Sequence, residues 1–393
     1  MTGPGADVAV VGAGLVGTSL AYELVSAGAS IVLIDRHDRG RATDAGAGIL
    51  SPETNQDPDP WRFEFGRQAV GHYETLVGRL RADGETDTGY AVTGSVLVAE
   101  RPGDDVVMEA AVTLTRSRCP EVREIAPEEA GARFPPLAPV RRALFNPAGR
   151  RVDGRTLNRA LVRAAASRGL RTLDASVTGF EADPGARTVR RVITSAGPVT
   201  AEAVVVAGGA WSDRTAGLLD AAVPVAPLKG QIVHLLLPGR ESRDWCIVQP
   251  VLGFYLVPWP DGRVACGGTM ESEAGFDDRP TADGVHQLLR ECLRTAPGLA
   301  QATLAEVRVG SRPASSDGWP ILGRLPGWSN VWVATGHGAE GLLLGPYSAR
   351  LVAAQVLAGL QRSGATWTQG EEERADALLE RCAPGRFSDR AGS

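Results

Sequence analysis

The stretch DVAVVGAGLVGTSLAYELVSAGASIVLID, residues 7–35, limits the fold more than any other part of the chain. Val8 to Val11 reads as a short buried strand and runs into Gly12, Gly14 and Gly17, a G-x-G-x-x-G pattern. Val16, Leu20 and Leu24 then recur at helical spacing, Gly28 stops the helix, and Ile31 to Ile34 reads as a second strand ending on Asp35. Each glycine has a task. Gly12 permits a tight turn, Gly14 lets backbone N–H groups approach a pyrophosphate, and Gly17 lets helix and strand pack closely. The helix N-terminus at Leu15 and Val16 offers partial positive charge to phosphates, and Asp35, followed by Arg36, is placed to accept from ribose hydroxyls. Strand, turn, helix, strand and terminal acid together predict a parallel α/β dinucleotide-binding unit. The pattern alone does not choose between NAD and FAD.

Composition narrows the class. The chain has 393 residues, enough for two domains, with 43% apolar and 22% charged residues. A net charge of −5 argues against nucleic acid or an anionic membrane as partner. Lysine is nearly absent beside arginine. No apolar run reaches the roughly 18 residues of a membrane span. The opening MTGPGADVAVVGAG has no charged n-region and runs straight into a strand. Cys119, Cys246, Cys266, Cys292 and Cys382 are scattered without a C-x-x-C pair. Neither a metal site nor a disulfide framework is expected, and the default compartment is a reducing cytoplasm.

Four later segments separate the two cofactors by resemblance: ATDAGAGILSP (42–52), GRRVDGRTLNRALVRAAASRGLRTLDASVTGFE (149–181), AEAVVVAGGAWSD (201–213) and NVWVATGHGAEGLLLGPYSARLVAAQVLAG (330–359). In this order they resemble the D-amino-acid oxidase superfamily of FAD enzymes, nearest to its glycine oxidase and sarcosine oxidase branch, over nearly the whole chain. The resemblance implies an FAD-binding Rossmann-like domain of the glutathione-reductase type beside a mixed antiparallel-sheet substrate domain. It also implies that Thr43, Ala47 and Gly48, the Val177 backbone, and Ala207, Gly208 and Trp211 contact FAD. Gly336, His337, Gly338, Gly341 and Leu342 would begin a helix whose N-terminus faces the flavin N1–C2=O edge. We read His337 as a packing or hydrogen-bonding group rather than a proton carrier. Relatives that tether FAD use a cysteine where this chain has Gly310, or a histidine around the TDAGAG loop, which has none; FAD is therefore expected to be non-covalent.

The pieces alternate along the chain. Residues 1–80, 147–223 and 310–393 are expected to form the FAD unit, and 81–146 with 224–309 the substrate unit. The reading predicts helices over Asp104 to Arg116 and Thr156 to Arg168, a hairpin around Pro260-Asp261-Gly262, and a polar tail of little evident role from Glu371.

Two residues carry the substrate reading. Arg312, in SRPASSDG, matches the carboxylate-binding arginine of glycine oxidases, and Tyr255, in FYLVP, a tyrosine that donates to the same carboxylate. A guanidinium fork fits a carboxylate with two parallel bonds. The turn formers around Arg312 suggest a stiff loop; a structural ion pair with Asp317 or Glu306 is the plain alternative, and Tyr255 has its own as ordinary core. Lys229 reads as solvated, and Trp61, Trp259 and Trp319 either wall a larger cavity or belong to the core. Glu340 stands in a loop where glycine oxidases usually place a basic residue, which leaves room for a bulkier or more cationic amine.

The implied chemistry is oxidation of a C–N bond in a carboxylate-bearing amine, with hydride passing to flavin N5, an imine product, and O2 or another acceptor restoring the cofactor. Two alternatives stay open: a 2-hydroxy-acid oxidoreductase, with His337 as base, and a flavin-binding subunit of a hetero-oligomeric dehydrogenase. A homo-oligomer is also compatible with the sequence.

Overall fold

The fingerprint strand Ala6–Val11 lies between two parallel neighbours, Ile31–Asp35 on one side and the outer half of Gly197–Val206 on the other. The computed structural model describes residues 5–183, 185–362 and 368–390. Arg171–Asp174 continues the parallel set beyond Ile31–Asp35, and Val331–Thr335 continues it beyond Gly197–Val206. Three antiparallel strands complete an eight-stranded sheet: Ile321–Arg324 on one edge, and Val177–Asp183 with Thr188–Thr194 branching from Gly197–Val206. Its central parallel strands, Ala6–Val11, Ile31–Asp35 and Val331–Thr335, are mostly apolar because helices or loops cover both faces.

Helix Gly341–Gly359 is the central helix of this unit, packed against Leu15–Ser26 and Pro60–Ala82. Gly338–Gly359 has the length and apolarity of a membrane-spanning helix, and 67% of that window is buried inside the protein. Pro346 lies inside the helix and has no N–H to give the Leu342 carbonyl one turn earlier; the Tyr73 hydroxyl donates to that oxygen instead.

A second eight-stranded sheet runs Thr303–Ser315, Val225–Leu236, Arg263–Gly267, Tyr255–Pro258, Ile247–Pro250, Ser95–Ala99, Arg142–Asn146 and Arg123–Ile125. All its pairings are antiparallel except Ser95–Ala99 with Ile247–Pro250. Helix Ala282–Thr295 buries Leu288 and Cys292 against one face. The opposite face carries Ile232, Tyr255, Val257 and Trp259, and meets Ala47 and Ile49 of the nucleotide-binding segment.

Four expectations change. The stiff loop around Arg312 is a strand: all thirteen residues of Thr303–Ser315 are extended, and Val225 to Leu228 pair with Ser315 to Arg312. The strand also crosses the expected boundary at 309/310, so Gly310 to Ser315 belong to the second sheet. Only Ser316 to Trp319 form the turn. The supposed idle tail is helix Gln369–Cys382, followed by Arg386, which holds the Asp317 carboxylate at 2.8 Å and donates to the Trp319 and Pro320 carbonyls at 3.0 Å. Lys229 is 1% exposed, because the segment carrying Glu271 and Asp277 folds over it.

Candidate active site

The fingerprint forms as its sequence requires. Gly12 takes φ +109°, and a Cβ there would strike the Ala207 carbonyl; a Cβ at Gly17 would strike the Gly12 carbonyl. Gly14 caps helix Leu15–Ser26 with no side-chain cap, and of the first-turn amides Leu15 N–H is held by Thr43 Oγ1 at 2.9 Å. The helix therefore presents its positive end to a cavity of about 580 Å³. Asp35 closes the far wall, accepting from Ala13 N–H and His37 N–H at 2.5 Å each.

The same cavity runs to the second sheet, where Arg312, Tyr255, Ile232 and Met270 line it. Gly230 makes room for the arginine: a Cβ built there would sit on its guanidinium. Arg312 Nη1 donates to the Thr269 carbonyl at 2.9 Å, which fixes the plane of the fork. Asp317 is taken by Arg386, while Glu306 pairs with Arg155 at 3.0 Å and Arg308 at 2.8 Å; neither acid neutralises Arg312. Burial pushes the Tyr255 phenol up to about 12, although Arg312 pulls the other way, so the hydroxyl remains a donor at neutral pH.

At the N-terminus of Gly341–Gly359, His337 is buried and its Nε2 has no hydrogen-bond partner. Burial lowers its pKa to about 4, so the ring is neutral.

Of the residues expected from sequence to contact FAD or the substrate carboxylate, all but Gly17 and Gly336 line this one cavity. Gly17 serves the helix–strand contact, and Gly336 forms a turn at φ +79°. Glu340 is turned away: it accepts from Asn55 Nδ2 at 3.2 Å and lies 3.9 Å from Arg62, with burial raising its carboxyl above the ordinary value. Trp61, Trp259 and Trp319 do not line this cavity. Trp259 belongs to the core between the sheets, Trp319 lies under Arg62 and Trp61 under Arg381. Sequence reasoning missed Gly230, Gly268, Ile49 and Ile232, which carry no signal of their own before the strands are paired.

The profile of the DAO family, described as FAD dependent oxidoreductase, matches residues 7–355. The chain belongs to this family. Among curated DAO-like relatives, it is 34% identical over 352 residues to the uncharacterized oxidoreductase YurR of Bacillus subtilis, covering 88% of this chain and 94% of that one. It is 32% identical over 357 residues to glycine oxidase of Pseudomonas aeruginosa, covering 88% and 93%. The crystal structure of iminodiacetate oxidase from Chelativorans sp. BNC1 superposes with a TM-score of 0.85 at 36% identity, covering 93% of this chain and 98% of that one.

A DAO-family enzyme uses FAD, and the cavity fits it. Gly12 and Gly17 leave the backbone bare where a Cβ would collide, the capless helix N-terminus suits a pyrophosphate, and His337 lines the same space beside the N-terminus of Gly341–Gly359. The protein is thus an FAD-dependent oxidoreductase of the glycine oxidase-like branch.

Proposed function

We propose that this enzyme oxidises the C–N bond of a small carboxylate-bearing amine, glycine-, sarcosine- or D-amino-acid-like, to an imine. One observation carries the reading. Arg312 and the Tyr255 hydroxyl converge on Gly268 inside the cavity that begins at the glycine fingerprint. The names of the glycine and iminodiacetate oxidases among its relatives support the same substrate class.

Bound FAD supplies the hydride acceptor, and O2 is the proposed oxidant that restores it, giving H2O2. Non-covalent binding agrees with a cavity that no cysteine lines among the described residues. Everything else falls to the side chains. Arg312 holds the substrate carboxylate through the guanidinium edge left free by Thr269, and Tyr255 donates the second bond. Two anchors on one carboxylate fix the orientation of the attached carbon. Ile49 and Ile232 wall the site with apolar surface. Among the described residues no carboxylate side chain lines the substrate end; the amine is proposed to react in its uncharged form, which needs no protein base.

The test is an anaerobic screen for flavin bleaching by glycine, sarcosine, iminodiacetate, D-alanine and L-proline beside glycolate and lactate. Bleaching by amines is expected; bleaching by none of them removes the reading. The neutral, unpartnered His337 Nε2 favours the second reading, a 2-hydroxy-acid oxidoreductase, and bleaching by the hydroxy acids alone would establish it.

A further inference from the structure

Lys229 is the only lysine in a chain otherwise supplied with arginine, and it is 1% exposed. It points away from the cavity, on the rear face of the strand pair that carries Arg312. Its Nζ lies 3.1 Å from Asp277 and 3.5 Å from Glu271. The Glu271 carboxylate also accepts from Thr269 Oγ1 at 2.5 Å and from Gln231 Nε2 at 2.8 Å. Gln231 completes the set: its backbone N–H donates to Thr269 Oγ1 at 2.9 Å, and its side-chain oxygen accepts from Thr281 N–H at 2.9 Å. Two backbone bonds tie Glu271 to Lys229, at 2.9 and 3.2 Å. A compact ammonium suits this space, since its donors radiate from one point whereas a guanidinium is planar.

The segment anchored here continues to the other side of the cleft. Phe276 packs on Trp211 at 4.9 Å and under Arg214 at 4.1 Å, both beside the cofactor cavity, and Asp278 meets Arg39 at 3.0 Å. One strap, 269–278, therefore touches the cofactor seat at one end and offers the Thr269 carbonyl to Arg312 at the other.

The geometry points to Glu271 and Lys229 as positioning residues that hold the carboxylate-binding Arg312 in its working orientation through the Thr269 carbonyl, with Phe276 tying the same strap to the cofactor seat. The inference rests on the reading of Arg312 as a carboxylate clamp. A fully bonded buried network is stiff, and a stiff support fixes the fork before substrate arrives.

The experiment uses the FAD-loaded enzyme and titrates acetate, reading the perturbation of the flavin spectrum, in wild type, Glu271→Ala, Glu271→Gln, Lys229→Met and Phe276→Ala. Loss of a bond to a charged group predicts acetate Kd raised roughly tenfold in Glu271→Ala and Lys229→Met. A several-fold rise is expected in Phe276→Ala. In the Glu271 and Lys229 variants the flavin reduction rate at saturating substrate should stay within about twofold, because neither residue lines the cavity. If Glu271→Ala does not load FAD, Glu271→Gln carries the measurement. Wild-type acetate affinity in any loaded variant overturns the proposal. If acetate perturbs the wild type but no amine bleaches it, the proposed activity falls while the positioning role stands. If acetate fails to bind the wild type, both fall.

Discussion

The Tyr255 hydroxyl and the Arg312 guanidinium flank one point: a Cβ built on Gly268 would lie 3.0 Å from Tyr255 Oη and 3.0 Å from Arg312 Nη2. A substrate carboxylate placed between them meets a charged fork and a neutral donor. Arg312→Lys keeps the charge and loses the fork, and kcat/KM should fall on the order of 10–100-fold, corresponding to about 1.5–3 kcal/mol. Tyr255→Phe should cost about fivefold to tenfold, mainly in KM, from steady-state kinetics with the bleaching substrate. Equal kinetics for wild type and Arg312→Lys would sink the clamp.

Gly230→Ala tests the same fork without touching it. The added methyl would occupy the space of the guanidinium, so Arg312 must swing aside. Catalytic efficiency should drop as far as in Arg312→Lys, while the bound-flavin spectrum and FAD affinity stay unchanged. Normal turnover would mean that the arginine works from another position.

Three buried histidines set a pH window for stability. Burial lowers His337 from 6.5 to about 4, and His72 and His234 to about 3, with arginines nearby adding to the last two. The unfolded chain binds the protons first, so stability is full above pH 6.5 and falls as pH drops toward the folded values. Each contributes a slope of about 1.4 kcal/mol per pH unit. Denaturant unfolding of the loaded enzyme between pH 7 and 5 should show this slope, reduced by about a third in His337→Asn. An unchanged slope in that variant would mean His337 is charged in the fold. Because His337 stays neutral over this range, it should give kcat/KM no limb near pH 6.5.

Arg151 is 1% exposed, stacks 5.2 Å from Trp259, and its Nη1 has no hydrogen-bond partner. Burial and the nearby Arg263 lower its pKa to about 10. A charge left this poorly paired is a net cost, so Arg151→Met should stabilise the protein by about 1–4 kcal/mol. A lower Tm in the variant would show that Arg151 has a partner in solution.

FAD should leave on denaturation. Acid precipitation is expected to release all yellow colour into the supernatant and leave a colourless pellet that reloads after refolding. Flavin retained by the denatured chain would reveal a covalent bond.

The fingerprint was legible because every part of it is local: a turn, a cap and an acid within one βαβ unit, each tied to a backbone requirement. That Arg312 and Tyr255 share one cavity was legible only through resemblance, since nothing local marks either. The surroundings of Arg312 were misread because turn residues were weighed without their partner strand, and Val225–Leu236 decides that they are extended. Lys229 was misread for a related reason. A lysine looks solvated until its counter-charges arrive, and Glu271 and Asp277 come from the far side of a hairpin. Glu340 was placed in the right loop, but a side chain's direction is not a property of its position in sequence.

The strand Thr303–Ser315 also sets a scale. Gly310 abuts Ala45, Ser311 donates from its backbone to the Gly40 carbonyl at 2.8 Å, and the next residue is Arg312. The wall of the cofactor seat and the proposed substrate anchor are thus consecutive marks on one covalent ruler, about 3.3 Å apart. Whatever the two sheets do relative to each other, the chain itself holds this spacing.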